Sequence, residues 1–226
     1  MTPVVPVKGK WEADVSVRVG VTGGVRGDQS AAWSAPAPQP ALTVAPTGRR
    51  AAEEERIAAA ALAELPDDGV VILDAGTVTE RLAARLPVGR GYTVVTNSVA
   101  VAAVLAPRTD IALYVIGGRL NRRAGAALAT GRDLEGLSAD VAFVVPGGIS
   151  FARGLTSGDP VEGSGKRAMM DAARSVVLLA DHARVDDDRL SRFAALDEAD
   201  CLITGAELDP ESAARLGTRV HRLLRV

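Results

Sequence analysis

The chain has 226 residues, with 26 Lys plus Arg against 28 Asp plus Glu. A folded chain of this length buries about 70% of its unfolded surface, which suffices for one full core plus an appendage, while near-neutrality excludes a basic nucleic-acid coat protein and an acidic disordered tail. One cysteine excludes a disulfide framework and a thiolate zinc cluster, the two histidines His182 and His221 leave little for a histidine-built metal site, and no 18-residue apolar run spans a membrane.

In chain order, residues 1–48 form an irregular first segment. Trp11 to Arg18 reads as a short strand or helix end, and Ala31 to Pro40 as an extended Pro/Ala linker. The predicted α/β domain covers residues 49–226. It opens with a helix over Ala52 to Leu65, where Glu53, Glu54 and Glu55 suit the positive end of the helix dipole and Ile57, Ala61 and Leu65 mark the buried face. A strand at 70–73, a helix at 78–86, a strand at 92–95, a helix at 99–105 and a strand at 111–116 follow. Next come a short helix at 132–137, strands at 141–145 and 176–180 around a helix at 165–174, a strand at 201–204, a helix at 210–216 and a last strand at 220–224. Buried strands alternating with helices predict an open, mostly parallel twisted sheet with helices on both faces.

Open α/β sheets take ligands outside the carboxyl ends of their strands. There the sequence places Asp74-Ala75-Gly76-Thr77-Val78-Thr79, then Thr96-Asn97-Ser98, Gly117-Gly118, Pro146-Gly147-Gly148 and Asp181-His182. Gly76 permits a tight turn. Thr77 and Thr79 offer hydroxyls beside free backbone N–H groups at a helix start, which suits a phosphate, or they only cap the helix. Asn97 and Ser98 either meet a ligand or cap the next helix. Gly117 and Gly118 admit a ligand or simply turn the chain. Lys166 opens a helix in this reading, where the dipole disfavours cations, which suggests a task such as meeting an anion. His182 donates to a sugar hydroxyl or to a structural partner. Cys201 reads as inert core, and Asp186-Asp187-Asp188 as a solvated acidic turn rather than a cation site. No nucleophile with an oriented base stands out, and neither a catalytic metal nor a cofactor is expected.

Asp74 to Thr79, Val94 to Ser98, Gly117-Gly118 and Leu179-Ala180-Asp181-His182, in that order, resemble the effector-sensing domain of the DeoR/GlpR family of bacterial transcriptional regulators. Glu55 to Ala58, Gly154 to Ser157, Lys166 to Met170 and Leu196 to Thr204 agree with it. The resemblance implies a fold similar to ribose-5-phosphate isomerase, glucosamine-6-phosphate deaminase and CoA transferases. It implies a cytoplasmic sensor that binds a phosphorylated sugar or related metabolite without catalysis and works as a homo-oligomer. It carries ligand binding onto Asp74, Gly76, Thr77, Thr79, Asn97, Ser98, Gly117, Gly118, Lys166, Asp181 and His182.

The chain departs from that pattern at Val78, where a second threonine is usual, and at Pro146-Gly147-Gly148, which lacks an acid. It departs again at Glu162-Gly163-Ser164-Gly165, where the pattern has Glu-Ala-Glu-Val, and at Arg184, in a lysine position. Residues 1–30 offer no counterpart of the recognition helix of a winged helix-turn-helix. The expectation is therefore a truncated regulator that meets operator DNA only if a longer gene product or a partner supplies the reader. Two alternatives are a sugar-phosphate isomerase or deaminase using Asp74, Asp181 or His182 as its base, and a sensor-only protein acting through oligomers.

Overall fold

A computed structural model describes residues 47–122, 124–128 and 131–226. The readings of Trp11 to Arg18 and of the Pro/Ala linker lie outside the described residues. Helix α1 (Arg49–Ala61) tightens into a 3-10 turn, then β1 (Val70–Leu73), α2 (Thr77–Ala83), β2 (Thr93–Thr96), α3 (Val99–Leu105) and β3 (Ala112–Val115) alternate. A hairpin of β4 (Arg119–Asn121) and β5 (Ala126–Leu128) precedes β6 (Ala139–Val144), β7 (Gly148–Ser150) and β8 (Gly154–Ser157). The chain closes with α4 (Pro160–Asp171), β9 (Ala173–Leu179), β10 (Ser191–Ala194), β11 (Cys201–Thr204), α5 (Pro210–Gly217) and β12 (Leu223–Arg225).

Seven strands form one sheet in the order β12-β11-β9-β6-β1-β2-β3. Every neighbouring pair is parallel. From β1 the chain winds outward through β2 to β3, and from β6 it winds the other way through β9 and β11 to β12. The winding thus reverses between β1 and β6, the point where such sheets open a crevice at their carboxyl ends.

Alternation along each strand sorts the core into two layers. Val71, Leu73, Val94, Phe143, Val177, Leu179 and Ile203 face one side with Ile57, Ala58 and Ala61 of α1 and Leu82 of α2. Ile72, Val95, Val144, Leu178 and Leu202 face the other, with Met169 of α4, Leu216 of α5 and Ile149 and Leu155 of a small antiparallel sheet ordered β10-β8-β7. Cys201 is fully buried in the first layer.

Several elements differ from the sequence-based expectation. Helix α4 starts at Pro160, five residues earlier than predicted, because Asp159 caps it by accepting from Val161 N and proline fits the first turn. Lys166 therefore sits in mid-helix and does not open it. The expected helix at 132–137 is a 3-10 turn over Gly131–Leu134. Strands β4, β5, β7, β8 and β10 were not predicted; each has only three or four residues. Helix α1 begins at Arg49, so Glu53 and Glu54 lie beyond its first turn, and both are buried. Predicted strand 111–116 is an edge strand whose Tyr114 and Val115 are exposed, since only one neighbour covers it.

Candidate functional site

The centre of the site is Asp74, which follows β1 at the reversal point. Its backbone N donates to Phe143 O of β6 at 3.0 Å, extending the β1–β6 ladder by one step. Its carboxylate is almost fully buried and takes three donors. Oδ1 accepts from Ala75 N at 2.7 Å, and Oδ2 accepts from Val145 N at 2.9 Å and from Lys166 Nζ at 2.5 Å. Lys166 is equally buried and has a second carboxylate, Glu162, at 3.3 Å one helical turn back. Burial alone pushes the Lys166 ammonium down, but the charges of Asp74 and Glu162 and the hydrogen bonds to them more than offset this, and its pKa is raised. The lysine does have an anion to meet, and that anion is the protein's own Asp74.

The rest of the Asp74 turn is fastened from within. Thr79 Oγ1 lies 2.6 Å from Asp74 O, to which it donates, and 2.9 Å from Gly76 O. A Cβ at Gly76 would stand 3.0 Å from Val145 Cγ2, so a glycine lets the turn close against β6. Thr77 is the first residue of α2 and is half-buried.

Asn97, Ser98, Gly117 and Gly118 group elsewhere, around the β4–β5 hairpin. Asn97 donates Nδ2 to Ala127 O at 3.2 Å and accepts from Ala127 N at its backbone oxygen at 2.8 Å. Ser98 Oγ accepts from Val101 N and is the N-cap of α3. Gly118 adopts φ 148°, and a Cβ there would run into the carbonyl oxygen of Leu128. Ser98 thus has the capping role and Gly118 the turning role that the sequence offered beside ligand contact. Asn97 Oδ1 and, at the end of β11, Thr204 Oγ1 are buried without a hydrogen-bond partner among the described residues.

Asp181 and His182, beyond β9, face α1. Asp181 Oδ2 accepts from Arg50 Nη2 at 3.0 Å and Arg184 Nε at 3.2 Å, while Oδ1 accepts from Ala183 N at 3.1 Å. Arg184 also donates to Pro146 O at 2.8 Å, tying this group to the end of β6. Glu53 reaches His182 twice, through Oε1 to the backbone N and Oε2 to Nδ1, both at 2.7 Å. A carboxylate only accepts, so Nδ1 carries the proton. Sequence reasoning took Glu53 and Glu54 for dipole partners and passed over Arg50. The signal was present: 50, 53, 54, 57, 58 and 61 share one helical face.

Elsewhere, Asp188 pairs with Arg153 and Asp187 with Arg189, and among the described residues no group of three potential ligands could hold a metal ion. A cleft of about 630 Å³ opens around Arg153, Arg192, Leu196 and Arg219 and is lined by none of the expected ligand-binding residues.

Residues 49–206 match the family model of the DeoR C terminal sensor domain, more than half of the chain. The chain belongs to this family. That family is one of sensor domains and not of enzymes. Similar curated proteins include the HTH-type transcriptional regulator IolR of Bacillus subtilis, 29% identical over 70% of this chain and 64% of its own length. The HTH-type transcriptional regulator GlpR of Haloferax volcanii is 33% identical over 69% of this chain and 62% of that protein. The glycerol-3-phosphate regulon repressor of Escherichia coli is 28% identical over 75% and 68%. The matched part spans under two thirds of IolR and GlpR. Ribose 5-phosphate isomerase A from Neisseria gonorrhoeae aligns at 17% identity with a TM-score of 0.42, covering 61% of this chain and 55% of that one, too loosely to add to the strand order.

In this DeoR sensor domain two of the three side chains an enzyme would need as its base, Asp74 and Asp181, are already committed to several internal donors. Asp74 takes two N–H groups and an ammonium and Asp181 two guanidinium groups and an N–H, while the His182 ring gives Nδ1 to Glu53 and keeps Nε2. General-base catalysis needs a free acceptor within reach of a substrate proton. The arrangement can position and recognise polar groups.

Proposed function

We propose that this chain is the effector-sensing part of a DeoR-family transcriptional regulator, and that its strand-end crevice binds a phosphorylated sugar or related small metabolite without transforming it. The observation that carries this is the convergence of Asp74, Lys166, Asp181 and His182 on the carboxyl ends of β1, β6 and β9, where both aspartates are committed to internal donors. Buried Asn97 Oδ1 and Thr204 Oγ1 supply unused polar capacity at neighbouring strand ends, since buried polar groups ordinarily have partners. The name of the E. coli relative, a glycerol-3-phosphate regulon repressor, agrees with a small phosphorylated effector.

In this reading the protein acts in the cytoplasm as a homo-oligomer. Among the described residues no helix is long and apolar enough to cross a membrane. Operator contact is assigned to a reader outside residues 49–226, in a longer gene product or a partner.

A thermal-unfolding screen of sugar phosphates, polyol phosphates and their unphosphorylated forms tests the reading. A ligand at 100 times its Kd stabilises the folded state by about 2.7 kcal/mol. The expected hit is phosphorylated and is recovered unchanged after incubation. Stabilisation by unphosphorylated forms alone, or conversion of the ligand, overturns it.

A further inference from the structure

Helix α1 buries two acids where an apolar stripe would be expected to continue. Ile57, Ala58 and Ala61 pack on the sheet, and one turn earlier the same face presents Glu53 and Glu54, at 1% and 0% exposure. Burying a carboxylate is costly unless it is paired and hydrogen-bonded. Glu53 is well paired. Its oxygens take the His182 N–H and Nδ1, and it lies so close to Gly205, just past β11, that a Cβ at Gly205 would run into Oε1. Glu54 is not. Among the described residues neither of its oxygens has a hydrogen bond, and it is held by Arg50 at 3.6 Å and Arg81 at 3.5 Å. The seat of α1 therefore combines one strong anchor with one poorly satisfied buried charge.

The anchor stands at the carboxyl ends of β9 and β11, on the crevice side of the sheet. Its polar rim is open to water. The His182 side chain is 43% exposed and that of Arg50 48%, against 2% for Lys166. Glu53 itself is 1% exposed, so an entering ion has to displace it to meet the His182 N–H.

We propose that the Glu53 carboxylate is a built-in competitor. It fills an anion niche, made of the His182 N–H and imidazole against Gly205, that also takes the phosphate or carboxylate group of a small ligand. Filling the niche from outside then unseats α1. This rests on the reading of the strand-end crevice as a ligand site and adds its output. A phosphate brings more charge and more acceptor oxygens than a carboxylate, and the Arg50 and Arg184 guanidinium groups stand beside it on Asp181. A tethered side chain competes at an effective concentration in the millimolar range or above, so the internal anion holds the niche when ligand is scarce. Release returns Glu54 to water, which offsets part of the lost pairing. Two arrangements of α1 of similar free energy are what a ligand needs in order to shift a population. Helix α1 is the first helix of the described residues.

Hydrogen exchange of the α1 amides, measured while inorganic phosphate is titrated against potassium chloride of equal ionic strength, tests this on the full chain. In the unmodified protein saturating phosphate should speed α1 exchange by about tenfold, whereas a ligand that merely stabilises the fold slows it. Glu53→Ala should exchange faster without phosphate and bind phosphate about tenfold more tightly, the size of a typical coupling. Glu53→Gln, which keeps the shape and loses the charge, should fall between and serves if the alanine variant does not fold. Phosphate that binds and protects α1, or binds both Glu53 variants no better than the parent, overturns the competition and leaves the ligand reading standing. If phosphate binds neither parent nor variants, the anion niche falls, and the sugar-phosphate screen then decides whether the ligand reading falls with it.

Discussion

Two ionic clusters sit at the same end of the sheet and are built on opposite plans. At the Asp74–Lys166 pair both side chains are at or below 2% exposure, and Asp74 is further held by backbone N–H groups of two strand ends. At the α1 seam the acids Asp181 and Glu53 are equally buried, yet their partners Arg50 and His182 are nearly half exposed. The first cluster is a fixture that pins β1, β6 and α4 at the reversal of the winding. The second is a latch with a wet side. Burial of the acids is the same, so exposure of the basic partner is what separates a fixture from a latch.

The largest expected effect tests the fixture. Lys166→Ala leaves Asp74 buried without its cation and should cost about 3–5 kcal/mol, measured by urea unfolding. A cost under about 1 kcal/mol would place Lys166 with the surface pairs. The pH dependence has a definite sign. The Lys166 pKa is raised above 10.5 in the folded chain, so the pair's contribution is fully present below about pH 10.5 and fades as pH rises through the folded value. Unfolding free energy should therefore fall in the alkaline limb for the parent and less steeply for Lys166→Met.

Gly118→Ala comes next. It puts a Cβ into the Leu128 carbonyl at φ 148° and should cost about 1–3 kcal/mol, with exchange rising first in β4 and β5. Ser98→Ala removes the cap of α3 and should cost about 1 kcal/mol. Neither glycine nor cap is expected to alter ligand affinity as Glu53→Ala does. The smallest effect belongs to the latch. Arg50→Ala should cost about 0–1 kcal/mol in chemical unfolding, because the guanidinium is half in water and Asp181 keeps Arg184 and Ala183 N. The same substitution should nonetheless speed exchange in the first turns of α1.

Much of this fold was legible in the sequence because the buried strands are continuous apolar runs, such as Val70-Val71-Ile72-Leu73 and Cys201-Leu202-Ile203, between turn signals. The parts that were not have short-range reasons. Strands of three or four residues in β4, β5, β7, β8 and β10 carry too few residues for a period to show. Glycines 163 and 165 hid the first turns of α4, although Asp159-Pro160 announces it. At the site, Asp74 and Lys166 were each visible but their pairing was not, since 92 positions separate them and only the winding brings them together. Glu53 was misplaced for a different reason. Three consecutive glutamates near a helix start suit the dipole, and only their phase against Ile57 and Ala61 turns two of them inward.

The thiol of Cys201 lies in the same apolar layer as α1, and burial pushes its pKa up. It is the single sulfhydryl in the sequence. A thiol that is both protonated and covered is silent toward an alkylating reagent until β11 is uncovered. Its labelling rate is thus a stopwatch already installed in the protein, running only when the layer between α1 and the sheet parts.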